Sequence, residues 1–364
     1  MPRKILIILI DGGDPQYFDQ AEVPNLRRLG ASGFWVTGTC VIPSVTNVNN
    51  ASVMTGSFPR DHGITGNFWY NPATGDGTYM ESAEYLARET LFERAKRLGM
   101  STALFTSKVK LQRLLERGAD LTVAGEDPPA EFIARVGPRC EIYSLEVNLW
   151  VLEAARVVMR EQNPDLVYVS TTDYIMHKFP PEHETAQRHM REMDRIIGRI
   201  ADEQPDREIY LSADHGMSAK RRAINLRVKL AEVGIQAVFV PVIKDKYVVH
   251  HDNLGGVGYL YVKDPAALVD AIDALKAVPG VEEVYRREAA AEQFGLMKDR
   301  IGDLFVLGGA EVVFGEIDGA EQRVAIRSHG SRHEAAIPII GSVARAPASE
   351  YRVNLDLVRH LELS

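Results

Sequence analysis

Short apolar runs alternate along this chain with segments of helical periodicity, and three of the four clearest runs end on an aspartate. "ILIILI" gives way to Asp11, "TALF" to residues 106–110, "DLVYVS" to Asp173 and "EIYLS" to Asp214 and His215. Between them, Leu91, Ala95 and Leu98 share one face of a helix stopped by Gly99, and helical patterns span about 146–162 and 184–201. Runs that alternate in this way pair as parallel strands joined by crossover helices. The predicted class is therefore α/β, with a mostly parallel central sheet and helices on both faces. In such sheets the ligand site lies beyond the carboxyl ends of the strands, where connecting loops are free to carry chemistry.

From Lys244 the texture changes. "GVGYLYVKD" reads as a strand, Asp264-Pro265 as a helix start, Pro279-Gly280 as a turn and "VEEVY" as another strand. We expect a small α+β cap over 245–320, inserted into a core made of 1–244 and 321–364. A length of 364 residues, 45% of them apolar, suits one large domain with an insert.

The formal charge is −8 and no basic block occurs, which argues against nucleic acid and anionic lipid as partners. The opening apolar run meets Asp11 instead of a small-residue cleavage site, and no stretch approaches the roughly 18 apolar residues of a membrane span. Cys40 and Cys140 build no disulfide framework. The expectation is a cytoplasmic protein without membrane attachment, a homodimer being one admissible assembly.

Taken singly, an Asp at a strand end is commonly a helix cap and a lone His is commonly structural. The set is different. Asp11, Asp173, His177, Asp214, His215 and His329 supply three carboxylates and three imidazoles. That mixture suits Zn²⁺ or Mn²⁺ and is too rich for one tetrahedral ion, so two ions with three ligands each are expected. Open positions on such ions mark catalysis, which needs a nucleophile. "CVIPSVTNVNNASVMTG" offers Thr46 at a helix start, where backbone N–H groups favour an anion, with Ser44, Ser52 and Thr55 as competing hydroxyls. His183, His189, His250, His251 and His333 read as surface or packed histidines, His251 being singled out because it opens the insert.

The ordered motifs "ILIDGG", "PSVTNVNN", "DHGITGNFWYN", "STTDYIMHK", "SADHGM" and "RSHGS" resemble the alkaline phosphatase superfamily in its nucleotide pyrophosphatase/phosphodiesterase branch. The resemblance spans Ile8 to Ser331. It implies two Zn²⁺ ions, with Mn²⁺ or Fe²⁺ as substitutes, one held by Asp11, Thr46, Asp214 and His215 and the other by Asp173, His177 and His329. It also implies Thr46 as nucleophile and Asn67 as a phosphoryl ligand. Within that branch, "GITGNFWYNPATG", "DKYVVHH", "DRIGDLFVL" and "TSKVKLQRLL" resemble the members that hydrolyse the carbon–phosphorus bond of phosphonoacetate. That likeness implies that Lys108 and Lys110 hold a substrate carboxylate. Without it, both are solvated lysines at a helix start. The alternative is a phosphodiesterase or nucleotide pyrophosphatase with the same metals and nucleophile, for which Phe68, Trp69 and Tyr70 would supply a platform for a base. On either reading the partner is a small anionic phosphonate or phosphate ester.

Overall fold

The computed structural model describes residues 3–246 and 249–363. Tyr247 and Val248, inside the "DKYVVHH" stretch, lie outside the described residues. A seven-stranded sheet runs in the order Phe34–Thr39, Ala336–Gly341, Arg207–Ala213, Lys4–Ile10, Leu166–Ser170, Thr102–Thr106, Leu121–Ala124. The last five are parallel to one another, while Ala336–Gly341 pairs antiparallel with both of its neighbours.

Residues Ile5 to Ile10 are fully buried because the sheet is covered on both faces. Alternate side chains enter two separate clusters, Ile5, Ile7 and Leu9 in one and Leu6, Ile8 and Ile10 in the other. This is why the run reads as unbroken apolar text where a half-exposed strand would alternate. Helices Glu146–Glu161 and Glu184–Glu203 pack on the second face, and their ends match the spans expected from periodicity to within about two residues.

A four-stranded antiparallel sheet, in the order Ala237–Pro241, Val257–Val262, Leu304–Gly308, Val281–Arg286, carries helix Leu268–Lys276 over a cluster that includes Leu260, Leu275 and Val306. It draws its first strand from before Lys244. Val312–Phe314, Ser218–Ile224 and Glu321–Ser328 form a three-stranded sheet, in which Ser218–Ile224 begins shortly after Asp214 and His215 and Glu321–Ser328 ends just before His329.

Candidate metal centre and its rim

Asp11, Asp173, Asp214 and His215 follow the carboxyl ends of three adjacent strands. All four are at most 2% exposed. The backbone is shaped to bring them together. Gly12 has φ +71°, and a Cβ there would stand 3.1 Å from the Asp173 Cβ and 3.2 Å from that of Met176. Glycine meets both the conformation and the close approach without strain, whereas a side chain here would force its neighbours to shift. Its N–H donates to Asp214 Oδ1 at 3.1 Å, as does that of His215 at 2.9 Å.

Neither Asp11 nor Asp173 acts as a helix cap. Asp14 caps Pro15–Gln20, and Asp173, though first in line for Tyr174–Lys178, makes no capping bond. Both oxygens of Asp11 and Oδ1 of Asp173 are buried without a hydrogen-bond donor. Orphaned carboxylate oxygens are costly to bury unless a cation takes them.

The imidazoles are set for the same purpose. Nδ1 of His177 stands 2.6 Å from the Arg327 carbonyl, that of His329 2.8 Å from the Ser44 carbonyl and that of His215 2.9 Å from the Gly216 carbonyl. Carbonyls only accept, so each Nδ1 carries a proton and it is Nε2 that faces the acids, with a lone pair for an ion whenever the ring is neutral. Those Nε2 atoms converge on the acids: His215 at 3.3 Å from Asp11 and 3.7 Å from Asp214, His329 at 3.5 Å and His177 at 2.8 Å from Asp173. Thr46 Oγ1 lies 3.4 Å from His215 Nε2. Four of these five separations are near the edge of a tetrahedron with metal bonds of ~2.1 Å, about 3.4 Å. Among the described residues the sets close enough to hold an ion are Asp11, Asp214 and His215; Asp173, His215 and His329; and Asp173, His177 and His250. The donor atoms present therefore fit divalent ions with a mixed oxygen and nitrogen preference, such as Zn²⁺ or Mn²⁺.

Charge crowding tells the same story. Burial, with Asp173 and Asp214 adding repulsion, holds the Asp11 carboxyl well above its ordinary range. Burial pushes Asp214 up to about 7. At Asp173 burial works in the same direction, but His177 and Lys108 outweigh it and hold the group well below the usual carboxylate range. Burial also lowers His215, His329 and His250, the last to about 2, so these rings are neutral and able to ligate.

Of the four candidate hydroxyls only Thr46 adjoins this cluster. Ser44 donates to the Ser331 carbonyl, Ser52 bridges Val48 and His62, and Thr55 bonds Ala51 and Ser57. Thr46 opens the buried helix Thr46–Thr55, and Asn50, one turn on, donates to the Thr46 carbonyl and reaches Asp214 Oδ2 at 3.4 Å.

Lys108 and Lys110 are 6% and 7% exposed, so they are not solvated surface lysines. Lys108 lies 3.6 Å from Asp173 Oδ1, and Lys110 contacts the Asp245 carboxylate directly. Burial and the neighbouring Lys108 push Lys110 down to about 7, against the opposing pull of Glu81, Asp173 and Asp11. Asn67 is 5% exposed, with its Nδ2 3.5 Å from the same Asp245 oxygen.

Two features escaped the sequence reading. His250 Nε2 stands 3.7 Å from Asp173 Oδ1, although the sequence pointed to His251 instead. Asn148 accepts from Ser107 Oγ and the Thr172 N–H, both at 2.8 Å, and so ties the lysine loop to the Asp173 loop. The other histidines have structural partners: His183 caps Glu184–Glu203, His189 meets Asn148 and His333 pairs with Glu282.

A mostly parallel sheet that gathers acids, imidazoles and a threonine at its carboxyl edge defines an alkaline phosphatase-like fold. The chain belongs to the type I phosphodiesterase / nucleotide pyrophosphatase family, whose sequence model matches residues 5–332. Its structure is similar to that of phosphonoacetate hydrolase from Sinorhizobium meliloti 1021 in complex with phosphonoformate, with a TM-score of 0.89 and 31% identity over 98% of this chain and 94% of that one. Human ectonucleotide pyrophosphatase / phosphodiesterase 5 shares the fold, with a TM-score of 0.71 and 16% identity over 98% of this chain and 93% of that one. In sequence, the chain is 22% identical to venom phosphodiesterase of Naja atra over 59% of its own length. It is 23% identical to ectonucleotide pyrophosphatase/phosphodiesterase family member 7 of Rattus norvegicus, also over 59%. It spans 26% of the first of these relatives and 50% of the second. Among the described residues no helix is long and apolar enough to cross a membrane.

Proposed function

We propose that the protein is a metal-dependent hydrolase that cleaves the carbon–phosphorus bond of phosphonoacetate, giving acetate and phosphate through a phosphothreonine at Thr46. The observation that carries this reading is the pair of buried lysines beside the acid–imidazole cluster. Two buried lysines at the rim, each already beside a carboxylate, suit a substrate that brings a second anionic end to the site. The likeness to phosphonoacetate hydrolase supports it.

Two Zn²⁺ ions, one at Asp11, Thr46, Asp214 and His215 and one at Asp173, His177 and His329, would lower the pKa of a hydroxyl or water and offset phosphoryl charge. Thr46 Oγ1 then attacks phosphorus, and the bond to carbon breaks with its electron pair passing into the substrate's carboxylate-stabilised leaving group. Lys108 and Lys110 face the charge that grows there, and Asn67 donates to a phosphoryl oxygen. Proton uptake at carbon completes acetate, and water cleaves the phosphothreonine. Holding both ends of the substrate also fixes its orientation, which is worth several kcal/mol in favourable cases. We take 245–320, together with the strand Ala237–Pro241 that precedes it, as a cap, with Asp245 in contact with Lys110.

A phosphodiesterase reading rests on the family match. Of its aromatic platform, Phe68 packs edge-on to Tyr79 and Tyr70 to Tyr261, which leaves Trp69 to meet a base. The test is release of phosphate from phosphonoacetate against release of p-nitrophenol from an aryl phosphodiester by zinc-loaded protein. Efficient phosphonoacetate turnover is expected. A strong preference for the diester would replace this reading with the phosphodiesterase one.

A further inference from the structure

The ion-binding set at Asp173 has one donor more than the family resemblance assigns. His250 is 5% exposed, its Nδ1 has no hydrogen-bond partner, and its Nε2 stands 3.7 Å from Asp173 Oδ1. That oxygen accepts no hydrogen bond, although His250 and Lys108, the latter at 3.6 Å, both face it. The ring lies 4.9 Å from that of His177, with Tyr143 and Tyr174 closing around it at 5.5 Å and 6.2 Å. Packing alone would be served by a phenyl ring, which buries no unpaired nitrogen. An imidazole nitrogen facing an orphaned carboxylate oxygen, within about 0.3 Å of the ~3.4 Å spacing of tetrahedral ligands, has the placement of a metal ligand.

We infer that His250 is a further protein ligand of the ion held at Asp173 and His177. This rests on the dinuclear reading proposed above and adds a residue to it.

The placement has a consequence for the rim. His250 lies five residues beyond Asp245, the partner of Lys110 and a neighbour of Asn67. An ion bound through Asp173, His177 and His250 ties this part of the chain to the core. Occupancy of the second ion site thereby sets the position of the lysine that faces the substrate's carboxylate. His251 is built differently: its Nδ1 accepts from the Asn253 N–H at 3.0 Å, which makes it part of the turn.

The inference is tested by titrating metal-free protein with Zn²⁺ against a chromophoric chelator, and with Co²⁺ by visible absorption, for wild type, His250→Ala, His250→Asn and His251→Ala. Loss of a partner that merely orients a ligand costs 10–100-fold in metal affinity, so loss of the ligand itself should cost at least about tenfold. We expect both His250 variants to bind the first ion as wild type does, to bind the second at least about tenfold more weakly and to change the second cobalt band. His251→Ala should match wild type. Thermal melts of the metal-free variants confirm that they are folded, and the asparagine variant decides the matter if the alanine variant is not. Wild type taking up two ions, with second-site affinity and cobalt spectrum unchanged in the His250 variants, would overturn the inference and leave the proposed function standing. Wild type taking up fewer than two ions would overturn both.

Discussion

Thr46 shares its stretch of sequence with Ser44, Ser52 and Thr55, yet only its oxygen is uncommitted to a backbone carbonyl and adjacent to His215. Removing it should therefore separate two properties. Thr46→Ala is expected to retain both metal ions, since water can replace a hydroxyl as a ligand, and to lose turnover by several orders of magnitude, since water cannot replace it as the covalent nucleophile. Metal analysis beside phosphate release checks this, and substantial turnover in the variant would reassign the nucleophile. The sequence made Thr46 one choice among several hydroxyls, because position along a helix start does not reveal which hydroxyls the backbone has already claimed. It was less informative about His250. A ligand on a strand end is legible through the neighbouring apolar run, whereas the pair His250 and His251 sits in a loop with no periodicity to say which ring turns inward.

At the level of elements, the loops carrying the acids and imidazoles are held by buried polar residues. Glu334 accepts from Lys220 at 2.7 Å, Ser218 at 2.5 Å, and the Ser331 hydroxyl and N–H at 2.8 Å and 3.1 Å. Its own carbonyl accepts from Gly216 at 2.7 Å. It thus binds the loop of His329 to the segment that follows His215. Both partners of the Glu334–Lys220 pair have fully buried side chains. Glu334→Ala, which strands the Lys220 charge, should cost about 3–5 kcal/mol in unfolding free energy.

The same pair sets an acid limit. Burial alone would raise the Glu334 carboxyl, but Lys220 and the hydroxyls outweigh it and hold the group below its ordinary value. A carboxyl depressed in the folded state contributes fully above its unfolded pKa, and the contribution fades as pH falls through the folded one. Acid should therefore narrow the stability gap between wild type and Glu334→Gln below about pH 4.5. Parallel stability curves for the two proteins would contradict this. Gly12 is the other element-scale constraint, and Gly12→Ala should push the Asp11 loop away from Asp173 and weaken ion binding.

Across the whole molecule, the parallel core was the most legible part. A run such as "ILIILI" can be buried on both faces only in a covered sheet, and the rule that sites lie beyond carboxyl ends then located Asp11, Asp173 and Asp214. The antiparallel edge formed by Phe34–Thr39 and Ala336–Gly341 was not legible, because its partners are about 300 residues apart and pair by tertiary packing. Nor was the burial of Lys108 and Lys110, since lysines near a helix start look alike whether solvated or enclosed.

Buried carboxylates that repel one another make the metal-free fold less stable than the loaded one. Each site at a free-ion concentration 100 times its Kd contributes about 2.7 kcal/mol, so chelation should lower the melting temperature by several degrees. An unchanged melt after complete metal removal would argue against ions in this cluster.

The central claim, that a carboxylate-gripping lysine pair turns this metal centre toward a carbon–phosphorus bond, is tested most directly by kcat/KM of Lys108→Ala and Lys110→Ala on two substrates. Each variant is expected to lose about 10²-fold or more on phosphonoacetate, as the charge developing on the substrate's carboxylate loses its cation, and far less on an aryl phosphate ester turned over at the same ions. Equal losses on both substrates would mean that the lysines serve the fold or the metals, and would contradict the account.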